Sequence, residues 1–363
     1  MKGAVAAMSA PETVRVEHYD VPSPEPGALL LKIRRANVCG SELHIFHGHH
    51  PLIRQGVLGH EFVGEIAGLG AGVETDYAGQ PVSVGDRTVA AYYLTCMRCA
   101  ACVRGDFNLC RNAYGFWSKA AKEPPHFHGG FATHYYVHPH QYFYKVPDGV
   151  PDEVVAGANC ALSQVLYGLH LARLEPGNTV VVQGAGGLGL NAAAVASEIG
   201  ARVVVVEGIA ERIELARQFG ADEVVDLREL GEAADRVERV SSLTNGYGAD
   251  VVLEVTGVPA AFTEALELVR PSGTVVEIGN VNVGPDFEVP MAPGLITRKG
   301  IRVIGVVRYQ PWFLHRALKF LERNHARYPY ATLTDREYGL DEVAAALEQS
   351  ERRSVARPVV VPV

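Results

Sequence analysis

The stretch Val180-Val181-Val182-Gln183-Gly184-Ala185-Gly186-Gly187-Leu188-Gly189 runs an apolar, β-branched segment directly into a GxGxxG turn, and an alanine-rich segment of helical spacing follows. In a strand–turn–helix unit each glycine has its own task. Gly184 permits the tight turn, Gly186 lets the backbone approach a pyrophosphate, and Gly189 allows the helix to pack closely on the strand. Gly187 and Leu188 open the helix, whose first N–H groups have no partner within it and can meet phosphates. Glu207 closes the next apolar run, 23 residues after Gly184. A carboxylate there can accept hydrogen bonds from both hydroxyls of an adenosine ribose and repel a 2′-phosphate, which predicts NAD in preference to NADP. Arg212, five residues on, flanks the adenine or, against that preference, holds a 2′-phosphate.

Outward from this turn, strands are expected at Thr179–Gln183, Arg202–Glu207, Glu223–Val225, Val251–Glu254, Thr274–Ile278 and Ile301–Gly305, with helices between them such as Leu188–Ile199 and Ala210–Phe219. Alternating strands and helices of this kind build one doubly wound parallel sheet, assigned to residues 159–308. The region before it has another texture. Short β-type runs broken by Gly and Pro, at Val14–Val16, Leu29–Ile33, Val63–Ala67, Thr88–Tyr93 and Ala132–Val137, read as an antiparallel, barrel-like domain over residues 1–158. The tail, 309–363, holds helical segments near Trp312–Asn324 and Leu340–Ser350, and its apolar end, Pro358–Val363, is expected to rejoin the first domain as a strand.

The chain has 363 residues, 33 Lys and Arg against 41 Asp and Glu, and a formal net charge of −8. It lacks the basic excess that nucleic acid or an anionic membrane selects. With 48% hydrophobic residues it can bury a full core, yet no apolar run approaches the roughly 18 residues of a membrane span. Met1–Ala10 is apolar but carries no charged leader or cleavage signal, so it reads as a first strand and the expected address is cytoplasmic.

Four of the six cysteines crowd together as Cys96, Cys99, Cys102 and Cys110. The spacing C-x2-C-x2-C-x7-C lets one lobe fold around a single tetrahedral ion, a closed and therefore structural site. Iron–sulfur ligation and an inert cluster of thiols are the rival readings. The other two are Cys39, in Val38-Cys39-Gly40-Ser41-Glu42-Leu43-His44, and Cys160; His60 follows Cys39 by 21 residues in Gly59-His60-Glu61. A Cys, a His and a second Cys give zinc three ligands and leave the fourth position open, the mark of a catalytic site. Taken alone, Cys39 also reads as a buried apolar residue and His60 as a loop histidine.

Together, Cys39-Gly40-Ser41, Gly59-His60-Glu61, the four-cysteine lobe, Gly184 to Gly189 and Asp250-Val251-Val252-Leu253-Glu254-Val255-Thr256-Gly257 resemble the zinc-dependent alcohol dehydrogenases of the medium-chain dehydrogenase/reductase superfamily. The resemblance covers essentially the whole chain. It implies an α/β protein with a GroES-like β-rich catalytic domain plus a doubly wound Rossmann coenzyme domain, often assembled as homodimers or homotetramers. It also implies that Cys39, His60 and Cys160 bind a catalytic zinc, that Glu61 stands close behind it or transiently coordinates it, and that Cys96, Cys99, Cys102 and Cys110 hold a structural zinc.

The activity it implies is hydride transfer between NAD(H) and an alcohol or its carbonyl, with zinc as the Lewis acid. Ser41 and His44 are placed as the proton relay, since a hydroxyl can take the alcohol proton and a histidine can pass it to solvent near neutral pH. Two departures bear on the substrate. Gly40 stands where many alcohol dehydrogenases carry Arg or His, and the stretch Cys39-Gly40-Ser41-Glu42-Leu43-His44 is more similar to the polyol and threonine dehydrogenases, whereas Cys160 stands where polyol dehydrogenases typically show Glu. A polyol, amino alcohol or specialised biosynthetic intermediate is therefore the alternative substrate. A non-catalytic NAD-binding protein is the alternative of another class, and the intact set Cys39, Ser41, His60 and Cys160 argues against it. His47, His49 and His50 are expected to form a polar loop rim.

Overall fold

Leu31 and Ile33 of the strand Leu29–Asn37 are buried while Lys32 and Arg34, which alternate with them, are exposed, the period-two pattern of a half-buried sheet. The computed structural model describes residues 1–50, 52–352 and 357–362. They fall into two units, Met1–Ser163 with Gln310–Val363, and Gln164–Tyr309. The first therefore keeps Cys160.

In the first unit β1 (Lys2–Ala10), β2 (Thr13–Asp20), β3 (Leu29–Asn37), β4 (Gly56–Val57), β5 (Glu61–Leu69), β6 (Arg87–Ala90), β7 (His134–Val137) and β8 (Phe143–Lys145) form the β-rich body. In the second, β9 (Thr179–Gln183), β10 (Arg202–Glu207), β11 (Glu223–Asp226), β12 (Ala249–Glu254), β13 (Val269–Glu277) and β14 (Arg302–Gly305) form one parallel sheet. Its spatial order, β11-β10-β9-β12-β13-β14, is that of a doubly wound dinucleotide fold. Val181, Val204, Val252 and Val275 are fully buried at its centre, as a parallel sheet covered on both faces demands.

The chain then returns to the first unit as β15 (Thr334–Tyr338) and β16 (Arg357–Val360). The apolar end does rejoin as a strand: β16 runs antiparallel to β3, with Val359 opposite Asn37 and Val360 opposite Ala36. Val363, the last residue of the expected run, lies outside the described residues. The order in this sheet is β15-β16-β3-β5-β6-β8, with β7 on β3; a separate sheet, β2-β1-β4, is linked to it by an isolated bridge from Val5 to Ala132.

Two features depart from the sequence reading. β15, Thr-Asp-Arg-Glu-Tyr, has no apolar alternation; it forms because β16 offers a parallel partner, which makes one pair of an otherwise antiparallel domain parallel. And a helical stretch of spanning length exists: Asp152–Ala172, 21 residues with a hydropathy of 1.3. Its two acids, Asp152 and Glu153, stand at its start, the amides Asn159 and Gln164 interrupt its apolar run, and 67% of its most apolar part is buried in the protein, so it is a core helix.

Candidate functional site

The antiparallel pairing of β3 with β5 sets Asn37 opposite Glu61. Cys39, two residues past the end of β3, and His60, one before the start of β5, therefore emerge side by side. Cys39 precedes the helix Gly40–Phe46, which carries Ser41, Glu42 and His44. Gly59 turns the chain into His60 with φ +91°, and a Cβ there would lie 2.5 Å from the Phe131 nitrogen, so only glycine fits.

Glu42 organises this corner. Its carboxylate is fully buried and accepts from three donors: His60 Nδ1–H at 2.5 Å, the Cys39 N–H at 3.2 Å and the Gly59 N–H at 3.2 Å. Nδ1 being engaged, Nε2 of His60 is the nitrogen left for a ligand. It lies 3.2 Å from Cys160 Sγ and 3.4 Å from Ser41 Oγ. Cys160 sits on a fully buried π-helical turn, Ala158–Leu162, a distortion frequent at functional sites. Asn159 anchors that turn by donating to the carbonyls of His60 and Ala90, at 2.9 Å each.

The ligand atoms of Cys39, His60, Glu61 and Cys160 all lie within 4.8 Å of one another. A hydrogen bond with Cys160, reinforced by the charges of His60 and Arg357, holds the Cys39 thiol well below its ordinary value. Cys160, as the partner in that bond and by burial, is pushed well above. Burial opposes charge on His60, but Glu42 and the Cys39 thiolate outweigh it and raise the imidazole well above its usual range. The group is a set of soft donors around a shared proton, and such sets exchange protons for a metal ion. Glu61 is drawn off to one side, where Arg357 Nη1 donates to both its oxygens at 2.9 and 2.7 Å. Burial still pushes Glu61 up to about 7, against the lowering effect of Arg357.

The four remaining cysteines form the second group, their sulfurs likewise within 4.8 Å of one another. Sulfurs about 2.3 Å from one tetrahedral ion stand roughly 3.8 Å apart, so the lobe has the right size. No disulfide joins any of the six cysteines. Cys99 precedes the short helix Ala100–Arg104, which Gly105 ends in the left-handed region at φ 87°. The Arg98 N–H pulls Cys96 down to about 6, and burial pushes Cys102 up to about 12.

In the second unit each glycine of the turn behaves as its position requires. A Cβ on Gly189 would lie 1.8 Å from the Gly184 carbonyl oxygen, whereas one on Gly186 would meet nothing within 4 Å. The first glycine is demanded by the fold; the second leaves the backbone open to a ligand. The helix Gly187–Ile199 starts there, with Leu188 half-buried in its first turn. Glu207 is buried and accepts from the N–H groups of Ala185, Gly208 and Ile209 at 2.8, 2.7 and 3.0 Å. It thus braces the glycine turn itself. Arg212 Nη1 lies 3.9 Å from the same carboxylate.

Of the histidines after Ser41, His44 lies one helical turn on, its ring 6.3 Å from that of His49. His47 pairs with Glu12 and Glu351, and His50 accepts from its own loop. Sequence reasoning missed Glu42, Asn159 and Arg357. For Glu42 a signal existed, a carboxylate three residues after the residue that precedes a helix. Arg357, 296 residues from Glu61, had none.

Comparison with known proteins places these features in one lineage. The alcohol dehydrogenase GroES-like domain matches residues 25–148, and the zinc-binding dehydrogenase family matches residues 187–323. The chain is 34% identical to 5-exo-hydroxycamphor dehydrogenase of Pseudomonas putida over 96% of each chain, and 31% identical to sorbitol dehydrogenase of Halalkalibacterium halodurans over the full length of both. Its fold superposes on an alcohol dehydrogenase from Thermotoga maritima with a TM-score of 0.92 at 27% identity, all of both chains being covered. The chain belongs to the zinc-dependent medium-chain dehydrogenase/reductase family. It is an oxidoreductase of that family, whose members act on small alcohols.

Glu42→Gln keeps the shape of the side chain but replaces the anion that holds His60. Zinc affinity, read by competition with a chromophoric chelator, should fall about 10- to 100-fold with the fold intact by circular dichroism; equal affinity would remove Glu42 from the site.

Proposed function

We propose that this chain is an NAD-dependent alcohol dehydrogenase that binds two zinc ions, one catalytic and one structural, and acts on an apolar secondary alcohol and its ketone. The observation that carries it is the convergence of Cys39, His60 and Cys160 with Ser41 beside them, all within one unit. Two thiolates and a neutral imidazole balance a dication and leave a fourth position open, while the four-cysteine lobe offers a closed set. Zinc held by Cys39, His60 and Cys160 would supply a Lewis acid toward an alcohol oxygen, and a dinucleotide held at the glycine turn would supply the hydride acceptor.

The chain's own groups do the rest. Glu42 keeps Nε2 of His60 directed at the ligand position by occupying Nδ1. Ser41 accepts the alcohol proton at Oγ, and His44, one turn along the same helix, passes it to solvent. Arg357 donates to both oxygens of Glu61 close behind the ligands and opposes the burial that favours its neutral form. Tyr92 and Trp117, with rings 5.0 and 5.4 Å from that of His60, give the site aromatic walls. They favour an apolar alcohol over a polyol, in line with the relative named for hydroxycamphor. Glu207 supports NAD, because a buried carboxylate at the end of β10 repels a 2′-phosphate and its charge is set against that of Arg212.

We also propose a homodimer. β14 pairs only with β13 among the described strands and carries an exposed Val303; Val307, two residues past it, and Val281 and Val283, in the loop after β13, are exposed as well. Such an edge is completed most simply by a second copy across a twofold axis.

Following NADH absorbance with a panel of alcohols should show turnover of cyclic secondary alcohols with NAD favoured over NADP by about tenfold or more, and loss of turnover when zinc is stripped. Faster polyol oxidation, or an NADP preference, would overturn the corresponding assignment. His44→Ala should slow turnover about tenfold or more near pH 7, with partial rescue by imidazole; an unchanged pH profile would take His44 out of the relay. Sedimentation should give twice the chain mass, and Val303→Asp should halve it; a wild-type monomer would sink the dimer.

A further inference from the structure

Two carboxylates that hydride transfer does not use end adjacent strands of the second unit. Glu254 is the last residue of β12 and Glu277 the last of β13, and the two are directly in register. One amide bridges them: Asn280 Nδ2 donates to Glu254 Oε2 at 3.0 Å and to Glu277 Oε1 at 3.3 Å, and the Asn280 N–H adds a bond to Glu277 Oε1 at 2.9 Å. Glu254 is fully buried. Its other oxygen accepts from the N–H groups of Thr256 and Gly257, at 2.6 and 3.1 Å, and from the Thr256 hydroxyl. Glu277 Oε2 is also buried, and among the described residues no hydrogen-bond donor reaches it; the shared Asn280 amide holds the two carboxylates against each other. Two ionised carboxylates in such contact inside a sheet repel strongly, and one proton between them turns the contact into a hydrogen bond.

The consequence reaches the glycine turn through Thr256. A Cβ on Gly184 would lie 2.8 Å from Thr256 Cγ2, and Val255 N–H donates to the Gln183 carbonyl at 3.3 Å. The loop after β13 is equally tight, since a Cβ on Gly279 would lie 2.4 Å from the Gly257 nitrogen and 2.5 Å from Glu254 Oε2. We propose that Glu254 and Glu277 share a single proton, and that this proton, by keeping Thr256 seated against Gly184, makes the pair a positioning device for a bound dinucleotide. The proposal rests on the dinucleotide reading above and adds a residue, Glu277, that touches neither turn nor ligand.

The register neighbours are Gln183 of β9, beside Glu254, and Gly305 of β14, beside Glu277. On the helices packed against β12 and β13, Glu264 is paired with Arg236, and Lys299 donates to the carbonyls of Leu266, Glu267 and Val269, at the amino end of β13; these helices also carry Glu267 and Arg298, the helix Ser163–Ala172, whose Gly168 packs on Val276 and Ile278, carries His170, and the buried Arg308 follows β14. Burial, then the bond with Glu254, raises Glu277 to about 8. The native chain therefore keeps a proton that the unfolded chain releases at the ordinary carboxylate value. Stability from this pair is complete in acid, declines as pH rises to about 8, and is constant beyond.

NADH binding to the intact protein, followed by fluorescence from pH 6 to 10 beside the melting temperature of the unliganded protein, tests this. In the wild type the Kd should be flat below pH about 8 and then rise by up to roughly tenfold per pH unit. In Glu277→Gln, whose amide donates to Glu254 at every pH, Kd should vary by no more than about twofold and the decline in melting temperature toward pH 8 should disappear. A wild-type Kd that does not change with pH, or a Gln variant with the same alkaline loss, would overturn the proposal. No binding at any pH would overturn the dinucleotide reading instead, and the melting profiles of the two proteins would still decide whether the proton is shared.

Discussion

The buried carboxylate of Glu42 is the point on which the metal-ligand cluster turns. An anion in the interior is tolerated only if its oxygens are satisfied, and here the donors are the Cys39 N–H, the Gly59 N–H and His60 Nδ1–H. Satisfying Glu42 therefore means bringing together the segments that follow β3 and precede β5. The same three bonds select which imidazole nitrogen faces Cys160. Without that anion the imidazole would be free to rotate and the sulfur–nitrogen set would lose its shape, however well the sheet behind it packed.

A comparable logic, with sterics in place of charge, governs the dinucleotide turn. Gly184 and Gly189 are forced by contacts within the protein, with Thr256 and with the Gly184 carbonyl respectively, while Gly186 stands clear. Glu207 adds the electrostatic half by gathering three N–H groups around one carboxylate. It braces the loop from the end of the neighbouring strand. Glu42, Glu207 and Glu254 thus follow one pattern: each is a buried acid that accepts from at least two backbone N–H groups, and each ties down the loop those groups belong to.

Much of this was legible in the sequence. The strands of the parallel sheet, the GxGxxG turn, Glu207 and the four-cysteine lobe are local patterns, and local patterns are written in residues a few positions apart. The strands at Thr179–Gln183 and Arg202–Glu207 stand with the bounds their apolar runs suggest. Glu42 was half legible, through its distance from Cys39. The pairing of Glu61 with Arg357, the strand Thr334–Tyr338 and the meeting of Glu254 with Glu277 were not, because each depends on which strands become neighbours.

What the sequence determined by itself is the inventory: soft ligands in two sets, a phosphate-ready turn and the periodicities of two kinds of sheet. The tertiary structure decided their assembly. Cys39, His60 and Cys160 become one site only because β3 pairs with β5 and a π-helical turn lifts Cys160 toward them. Glu254 and Glu277 become a pair only because β12 lies beside β13. The reason is physical: hydrogen-bond ladders bring side chains distant in the chain to within a few ångströms, and at that range charge and proton sharing, which have no sequence signature, set what each group can do.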